Sequence, residues 1–155
     1  MKGLSDIRVL LVDDYEVVLL GLRRMLELDG RIKVVGEASN GEEAIAKAAT
    51  LQPDVVTMDL KMPGMDGITA TRRLKQEMPK VHVLAMTMYG DDLIQEAIEA
   101  GVSGYILKET DCDQIIQAIH QICDGLHPMI PPLNLRLPAE FIPNQFVSPA
   151  LLPRR

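Results

Sequence analysis

Five short apolar segments alternate with segments of helical periodicity over the first 124 residues of this 155-residue chain. Between the apolar segments, hydrophobic residues recur every three or four positions, which is typical of amphipathic helices. Alternating strands and helices of this length predict a parallel sheet with helices on both faces and right-handed connections. The predicted strands are Ile7–Val12, Ile32–Ala38, Asp54–Met58, Val81–Met86 and Gly104–Leu107.

The polarity of these strands predicts their order in the sheet. Four of them are nearly continuous apolar runs, as expected for strands that are buried on both faces. The second, IKVVGEA, is more polar and suits an edge. We therefore predict a doubly wound α/β fold whose five-stranded parallel sheet has the order 2-1-3-4-5. In this order the connections reverse direction between the first and third strands, where such sheets bind ligands.

Acidic residues follow the two strands that flank this reversal point. Asp13 and Asp14 end the segment IRVLLVDD, and Asp59 follows DVVTM. Two unit charges about 4 Å apart repel by roughly 4 kcal/mol at an effective dielectric of 20, so three clustered carboxylates favour a bound cation. Mg²⁺ suits the site better than Ca²⁺, because it is held by one or two carboxylates together with waters and phosphate oxygens. The alternative is that Asp13 and Asp14 only cap the next helix.

Two further polar residues, Thr87 and Lys108, close the fourth and fifth apolar segments. In the predicted topology both strand ends reach the same cleft. A hydroxyl can donate to a phosphoryl oxygen, and an ammonium can neutralise the charge of about −1.5 to −2 that phosphorylation adds. The sequence has neither a GxxxxGK[ST] nor a GxGxxG motif. Acceptance of a phosphoryl group is therefore favoured over nucleotide binding.

The motifs LLVDD, MDLKMPGMDG and GYILK, together with Thr87, occur in an order that resembles the receiver domain of bacterial two-component response regulators. The resemblance covers residues 1–124 and implies a flavodoxin-like receiver fold. The stretches DDYEVVLLGLRRMLE and AIEAGVSGYILKET are most similar to the LuxR/NarL-type subfamily, whose members usually regulate transcription.

The resemblance implies roles for the acidic residues. Asp59 would be the phosphoacceptor, taking a phosphoryl group from a phosphohistidine of a sensor histidine kinase. Asp14 would bind Mg²⁺ directly, Asp13 would bind it through water, and the main-chain carbonyl of Lys61 would complete the protein ligands. Such a protein is not an enzyme in the ordinary sense, because it assists only its own Mg²⁺-dependent phosphotransfer and dephosphorylation.

The resemblance also implies a switch. Thr87 would move to bond the phosphoryl group, Lys108 would pair with it, and Tyr105 would change rotamer as the switch aromatic. This change would reach the surface formed by the fourth helix, fifth strand and fifth helix. A homodimer is also expected to form through a face of the receiver. Lys61 and Tyr89 flank the site in sequence and are expected to slow hydrolysis of the acyl phosphate.

Residues 125–155 form a Pro-rich, apolar tail that holds seven of the ten prolines and both phenylalanines. This proline density predicts an irregular segment without a long helix or a central strand. A LuxR/NarL-type output domain would need on the order of 60 residues. Only 31 residues follow Asp124, so DNA binding by this chain is not expected.

Two other functions compete with the phosphorylation switch. One is a phospho-independent interaction or dimerisation module controlled by the apolar tail. The other is a Mg²⁺-dependent phosphatase with Asp59 as nucleophile. Phosphatase chemistry needs a general acid two residues after the nucleophile, and Lys61 occupies that position.

Composition narrows the class of protein further. The net charge of −6 argues against a nucleic-acid-binding surface. No apolar stretch approaches the roughly 20 residues that cross a bilayer, and the N-terminus does not resemble a signal peptide. A cytoplasmic protein with no membrane partner is expected. Cys112 and Cys123 are predicted to be buried thiols on one helix, too far apart for a disulfide.

Overall fold

A computed structural model describes residues 6–88 and 93–129, and the backbone of residues 146 and 147. A five-stranded parallel sheet has the order β2-β1-β3-β4-β5, which confirms the predicted doubly wound fold and the edge position of β2. The third and fourth strands each begin and end one residue later than predicted, because Asp59 and Thr87 still pair with Met86 and Leu107. The strands are β1 Ile7–Val12, β2 Ile32–Ala38, β3 Val55–Asp59, β4 His82–Thr87 and β5 Gly104–Leu107.

Five helices cover the two faces of the sheet. Three of them begin at a side-chain cap, in which Asn40, Asp66 or Asp111 accepts a hydrogen bond from the N–H three residues later. These bonds satisfy backbone donors that the first helical turn leaves unpaired. The helices are α1 Glu16–Leu26, α2 Gly41–Leu51, α3 Gly67–Glu77, α4 Ile94–Ala100 and α5 Cys112–Cys123.

The core consists of two apolar clusters on opposite faces of the sheet. Along β1, Val9 and Leu11 face α1 and α5, whereas Leu10 and Val12 belong to the cluster under α2, α3 and α4. This alternation follows from the two-residue period of side chains in a strand. The central strands are thus buried on both faces, as the continuous apolar runs predict.

The two cysteines correct one prediction. Cys112 and Cys123 do begin and end the same helix, and they do not form a disulfide with each other. They are not buried, however: Cys112 is half-buried and Cys123 is exposed. Their positions explain the difference, because α5 packs on the sheet through residues in the middle of the helix such as Ile115 and Ile119.

The chain after α5 turns back onto the sheet. His127–Pro128 forms β6, which pairs in parallel with β7, Phe146–Val147. Met129 forms a parallel bridge with Tyr105 of β5. The rest of the predicted irregular tail lies outside the described residues. Within the described part of the chain, no helix has the length and apolar character needed to span a membrane.

Candidate functional site

Three carboxylates converge at the carboxyl ends of β1 and β3. These strands are neighbours, with Val12 opposite Met58, so Asp13 and Asp14 emerge beside Asp59. One carboxylate oxygen from each aspartate lies within 4.8 Å of the others. Asp13 is 2% exposed and Asp59 is 4% exposed, whereas Asp14 is half-buried. The structure therefore brings together the three acids that the strand ends predict.

The side chain of Lys108 joins two of these acids. Lys108 directly follows β5, and its backbone N–H donates to the carbonyl of Thr87 over 2.8 Å. Its ammonium lies 2.9 Å from Asp13 Oδ2 and 3.2 Å from Asp59 Oδ2. The other oxygen of each acid accepts a backbone N–H: Tyr15 donates to Asp13 Oδ1 over 2.9 Å, and Lys61 donates to Asp59 Oδ1 over 3.1 Å. Both buried carboxylates are thus fixed in orientation.

Burial and charge set the pKa values of the two central groups. The pKa of Asp59 is raised from 3.8 to about 6, first by burial and then by the nearby charge of Asp13. Lys108 and the Lys61 N–H oppose this increase because they stabilise the carboxylate. Burial lowers the pKa of Lys108, but the bonds and charges of Asp13 and Asp59 outweigh it and raise the pKa overall. Near pH 7, Asp59 is therefore mainly ionised and Lys108 is charged.

The donor set fits a hard divalent cation. Asp14 Oδ1 is buried and has no hydrogen-bond partner in the structure, although such groups are rarely left unpaired. Three carboxylates and one ammonium carry a formal charge of −2, which a dication would balance. All three side chains offer oxygen, the ligand that Mg²⁺ and Ca²⁺ prefer. The N–H bond to Asp59 also holds the peptide unit of Lys61 next to the cluster.

The two predicted switch residues lie on neighbouring strands. Thr87 is the buried last residue of β4, opposite Leu107. Tyr105 of β5 pairs with Ala85, which lies two residues before Thr87 on β4, and Tyr105 is 3% exposed. Its side chain does not join the acidic cluster but belongs to the apolar core under α4. Thr87 therefore lies at the carboxyl end of its strand, the end of the sheet that carries the acidic cluster, and Tyr105 lies further from that end.

Sequence reasoning missed the role of two residues at the site. The ring of Tyr15 lies 5.9 Å from Lys108 Nζ, although the side chain is 62% exposed. Its position directly after the paired aspartates is the signal that could have identified it. The second residue is Gly67, the first residue of α3, which packs directly against the backbone of Asp59 and Leu60. Tyr89, expected to shield the site, lies outside the described residues.

Comparison with known proteins identifies the family. Residues 9–120 match the model of the response regulator receiver domain. The chain is 43% identical over 120 residues to the response regulator protein VraR of Staphylococcus aureus. That match covers 77% of this chain and 57% of the relative, so this chain spans little more than half of the relative's length.

Solved structures agree with this assignment. A LuxR family two-component response regulator from Aurantimonas sp. SI85-9A1 is 39% identical with a TM-score of 0.74, over 78% of this chain and 87% of that one. The receiver domain of the putative response regulator NarL from Mycobacterium tuberculosis is 30% identical with a TM-score of 0.74. That match covers 78% of this chain and 98% of that one. From its sequence, its sheet order and these relatives, the chain belongs to the response regulator receiver family and is of the LuxR/NarL type.

Proposed function

We propose that this chain is a phosphorylation-activated receiver of a two-component system and that Asp59 accepts a phosphoryl group from a sensor histidine kinase. The observation that carries the proposal is the position of the Asp59 carboxylate. It is buried at the end of β3, held by a backbone N–H, and paired with a lysine beside two further acids. A buried carboxylate held this way is arranged to act as a nucleophile.

The proposed reaction is a phosphoryl transfer between two side chains. A carboxylate oxygen of Asp59 forms a bond to phosphorus as the bond from phosphorus to the kinase imidazole nitrogen breaks. The Lys61 N–H holds Asp59 Oδ1, which leaves the direction of the carboxylate fixed. Asp13, Asp14, Asp59 and the carbonyl of Lys61 would hold Mg²⁺. When bound, this ion supplies positive charge that stabilises the transferred oxygens.

The new phosphoryl group would act through the ends of β4 and β5. In the unphosphorylated protein the ammonium of Lys108 is shared between Asp13 and Asp59. The added charge gives Lys108 and the hydroxyl of Thr87 a stronger partner. We propose that their movement changes the packing of Tyr105 and hence the surface formed by α4, β5 and α5. Only contacts that differ between the two states can shift this equilibrium.

The proposal includes the organisation and partners of the protein. Residues 1–124 are the receiver, and residues 125–155 are an appended segment. We place this chain in the cytoplasm, and its proposed partners are a sensor histidine kinase and a second copy of the chain. A role in transcription regulation rests on the resemblance to the LuxR/NarL-type subfamily, and DNA binding is not proposed for the residues described here. The activity of the chain is limited to its own phosphorylation and dephosphorylation.

Incubation with Mg²⁺ and acetyl phosphate, followed by intact-mass measurement, tests the proposal. The wild type is expected to gain the mass of one phosphoryl group, and an Asp59→Asn variant is expected to gain none. Chelation of Mg²⁺ should abolish the gain because the transferred charge is then left unbalanced. A folded, Mg²⁺-binding protein that gains no mass would instead support the phospho-independent interaction module.

A further inference from the structure

The end of α5 reverses the direction of the chain. The N–H of Leu126 donates to the carbonyl of Gln121 over 2.9 Å, and the N–H of Gly125 donates to Ile122 over 3.1 Å. These two bonds define a Schellman turn, which needs a residue with positive φ. Gly125 supplies it, with φ of 87°. As a result, the residues after the turn run alongside β5.

Three residues after this turn pack against the edge of the sheet. The Nδ1 atom of His127 lies 2.8 Å from the carbonyl oxygen of Ser103, the residue before β5. Pro128 lies so close to Gly104 that a Cβ added at Gly104 would be 3.0 Å from Pro128 Cγ. Met129 forms a parallel bridge with Tyr105. The segment therefore follows β5 residue by residue.

This packing covers the proposed switch residue. β5 is an edge strand of the five-stranded sheet, and an edge normally leaves backbone groups open to other chains. Here Tyr105 is 3% exposed and Met129 is 1% exposed, and both belong to the same core cluster under α4. Met129 is thus part of the receiver core although it follows the last helix of the receiver.

We propose that residues 127–129, which we call the cap strand, close the β5 edge of their own receiver and hold Tyr105 inside. The role of the cap strand in regulation rests on the proposed function, in which the packing of Tyr105 changes after phosphorylation. While the cap strand is docked, Tyr105 cannot turn outward and no other chain can pair with β5. A second copy or another partner that uses this edge must first displace the cap strand.

The connection to α5 makes the cap strand an intramolecular element. Only residues 124–126 separate Cys123 at the end of α5 from His127. A strand, a helix and a parallel strand joined by such short connections form the usual right-handed crossover unit. The three-residue link gives the cap strand a high effective concentration at its own β5. A strand exchanged from a second copy would need to break the Schellman turn.

Docking of the cap strand and phosphorylation then influence each other. If phosphorylation changes the packing of Tyr105, it changes the stability of cap-strand docking by some factor. Thermodynamic linkage requires that docking change the phosphorylation equilibrium by the same factor. A partner that binds or releases residues 127–129 would therefore also shift the phosphorylation equilibrium.

Tyrosine fluorescence tests this proposal in the full chain without phosphorylation. The sequence has three tyrosines and no tryptophan, so Tyr15→Phe with Tyr89→Phe leaves Tyr105 as the only emitter. Acrylamide quenching of Tyr105 is expected to be weak in this background and independent of protein concentration. Met129→Asp places a charge in the core cluster and should increase the quenching constant by about threefold or more. Leu28→Asp, at an exposed position of the surface, is the control and should leave it unchanged.

A milder pair of variants covers the case in which Met129→Asp fails to fold. An alanine at Gly125 meets no atom within 4 Å but is strained by the positive φ, whereas an alanine at Gly30 meets neither problem. Gly125→Ala should therefore raise quenching and speed hydrogen exchange in residues 104–107, and Gly30→Ala should not. Unchanged quenching in folded variants would overturn the proposal, as would quenching that depends on protein concentration. Because Asp59 takes no part, these results are separate from the phosphorylation test.

Discussion

At the scale of single residues, the site depends on how three acids and one lysine share a small buried volume. Lys108 lies between Asp13 and Asp59 and offsets part of their repulsion. Loss of water on burial, and after it the remaining repulsion from Asp13, raise the pKa of Asp59 to about 6. A cation would therefore compete with a proton for the Asp59 carboxylate.

The raised pKa of Asp59 predicts that the free energy of unfolding depends on pH. In metal-free protein, native Asp59 binds its proton more tightly than the unfolded chain, whose pKa is near 3.8. The free energy of unfolding should therefore fall as the pH rises from about 4 to about 6. Urea denaturation in EDTA should show this fall in the wild type and a flatter profile in Asp59→Asn. Asp6→Asn, at an exposed position outside the cluster, should keep the wild-type profile.

Equal pH profiles for the wild type and Asp59→Asn would contradict the account of the buried carboxylate. Excess Mg²⁺ is a second check, because the bound cation favours the ionised acid. It should stabilise the wild type most above pH 6, with a benefit that shrinks as protons compete below that value.

Gly67 gives a second prediction at this scale. A Cβ at this position would overlap the carbonyl oxygen of Asp59 and lie 2.7 Å from the Cα of Leu60, and neither backbone atom can move aside cheaply. Gly67→Ala should cost about 2–3 kcal/mol of unfolding free energy and reduce phosphorylation, because it displaces the end of β3. Chemical denaturation and the intact-mass assay measure the two effects.

Gly21→Ala is the matched control for Gly67→Ala. Gly21 lies inside α1 with no atom within 4 Å of an added Cβ. Alanine there should raise stability by about 0.5–1 kcal/mol, because it has the higher helix propensity. A Gly67→Ala variant as stable as Gly21→Ala would show that the contact with β3 is not rigid.

At the scale of elements, strand existence and order followed from the sequence because burial on both faces demands continuous apolar runs. Boundaries differed by one residue where a polar residue, Asp59 or Thr87, still pairs in the ladder. β6 was not predicted, since proline density argued against strands in the tail. That argument applies to long elements and central strands, whereas β6 has only two residues, His127 and Pro128.

The start of α2 offers a prediction at this scale. Asn40 accepts the N–H of Glu43 over 2.8 Å, and Glu43 in turn accepts the N–H of Ser39 over 2.6 Å. Asn40→Ala should lower the free energy of unfolding by about 1 kcal/mol, because a donor in the first turn loses its partner. Asn40→Asp preserves the acceptor and should restore most of the loss. Equal stability of the alanine and aspartate variants in urea denaturation would contradict this role of the cap.

At the scale of the whole molecule, the sheet order connects the two halves of the proposed switch. The acidic cluster lies at the ends of β1 and β3, and Tyr105 lies on β5, with β4 between them. The sequence predicted the cluster because parallel strands end at the same edge of a sheet. The sequence could not predict that the cap strand covers Tyr105. The contact between Tyr105 and Met129 depends on the turn at Gly125, and no local sequence pattern indicates it.

The central claim is that Asp59 carries the phosphoryl group, and mapping the modified residue tests it most directly. The full chain would be treated with acetyl phosphate and Mg²⁺, then with borohydride, which reduces an acyl phosphate to an alcohol. We predict that peptide mass spectrometry finds homoserine at position 59, only in samples given both reagents. Homoserine at Asp13 or Asp14, or a stable phosphoryl group on another side chain, would contradict the account.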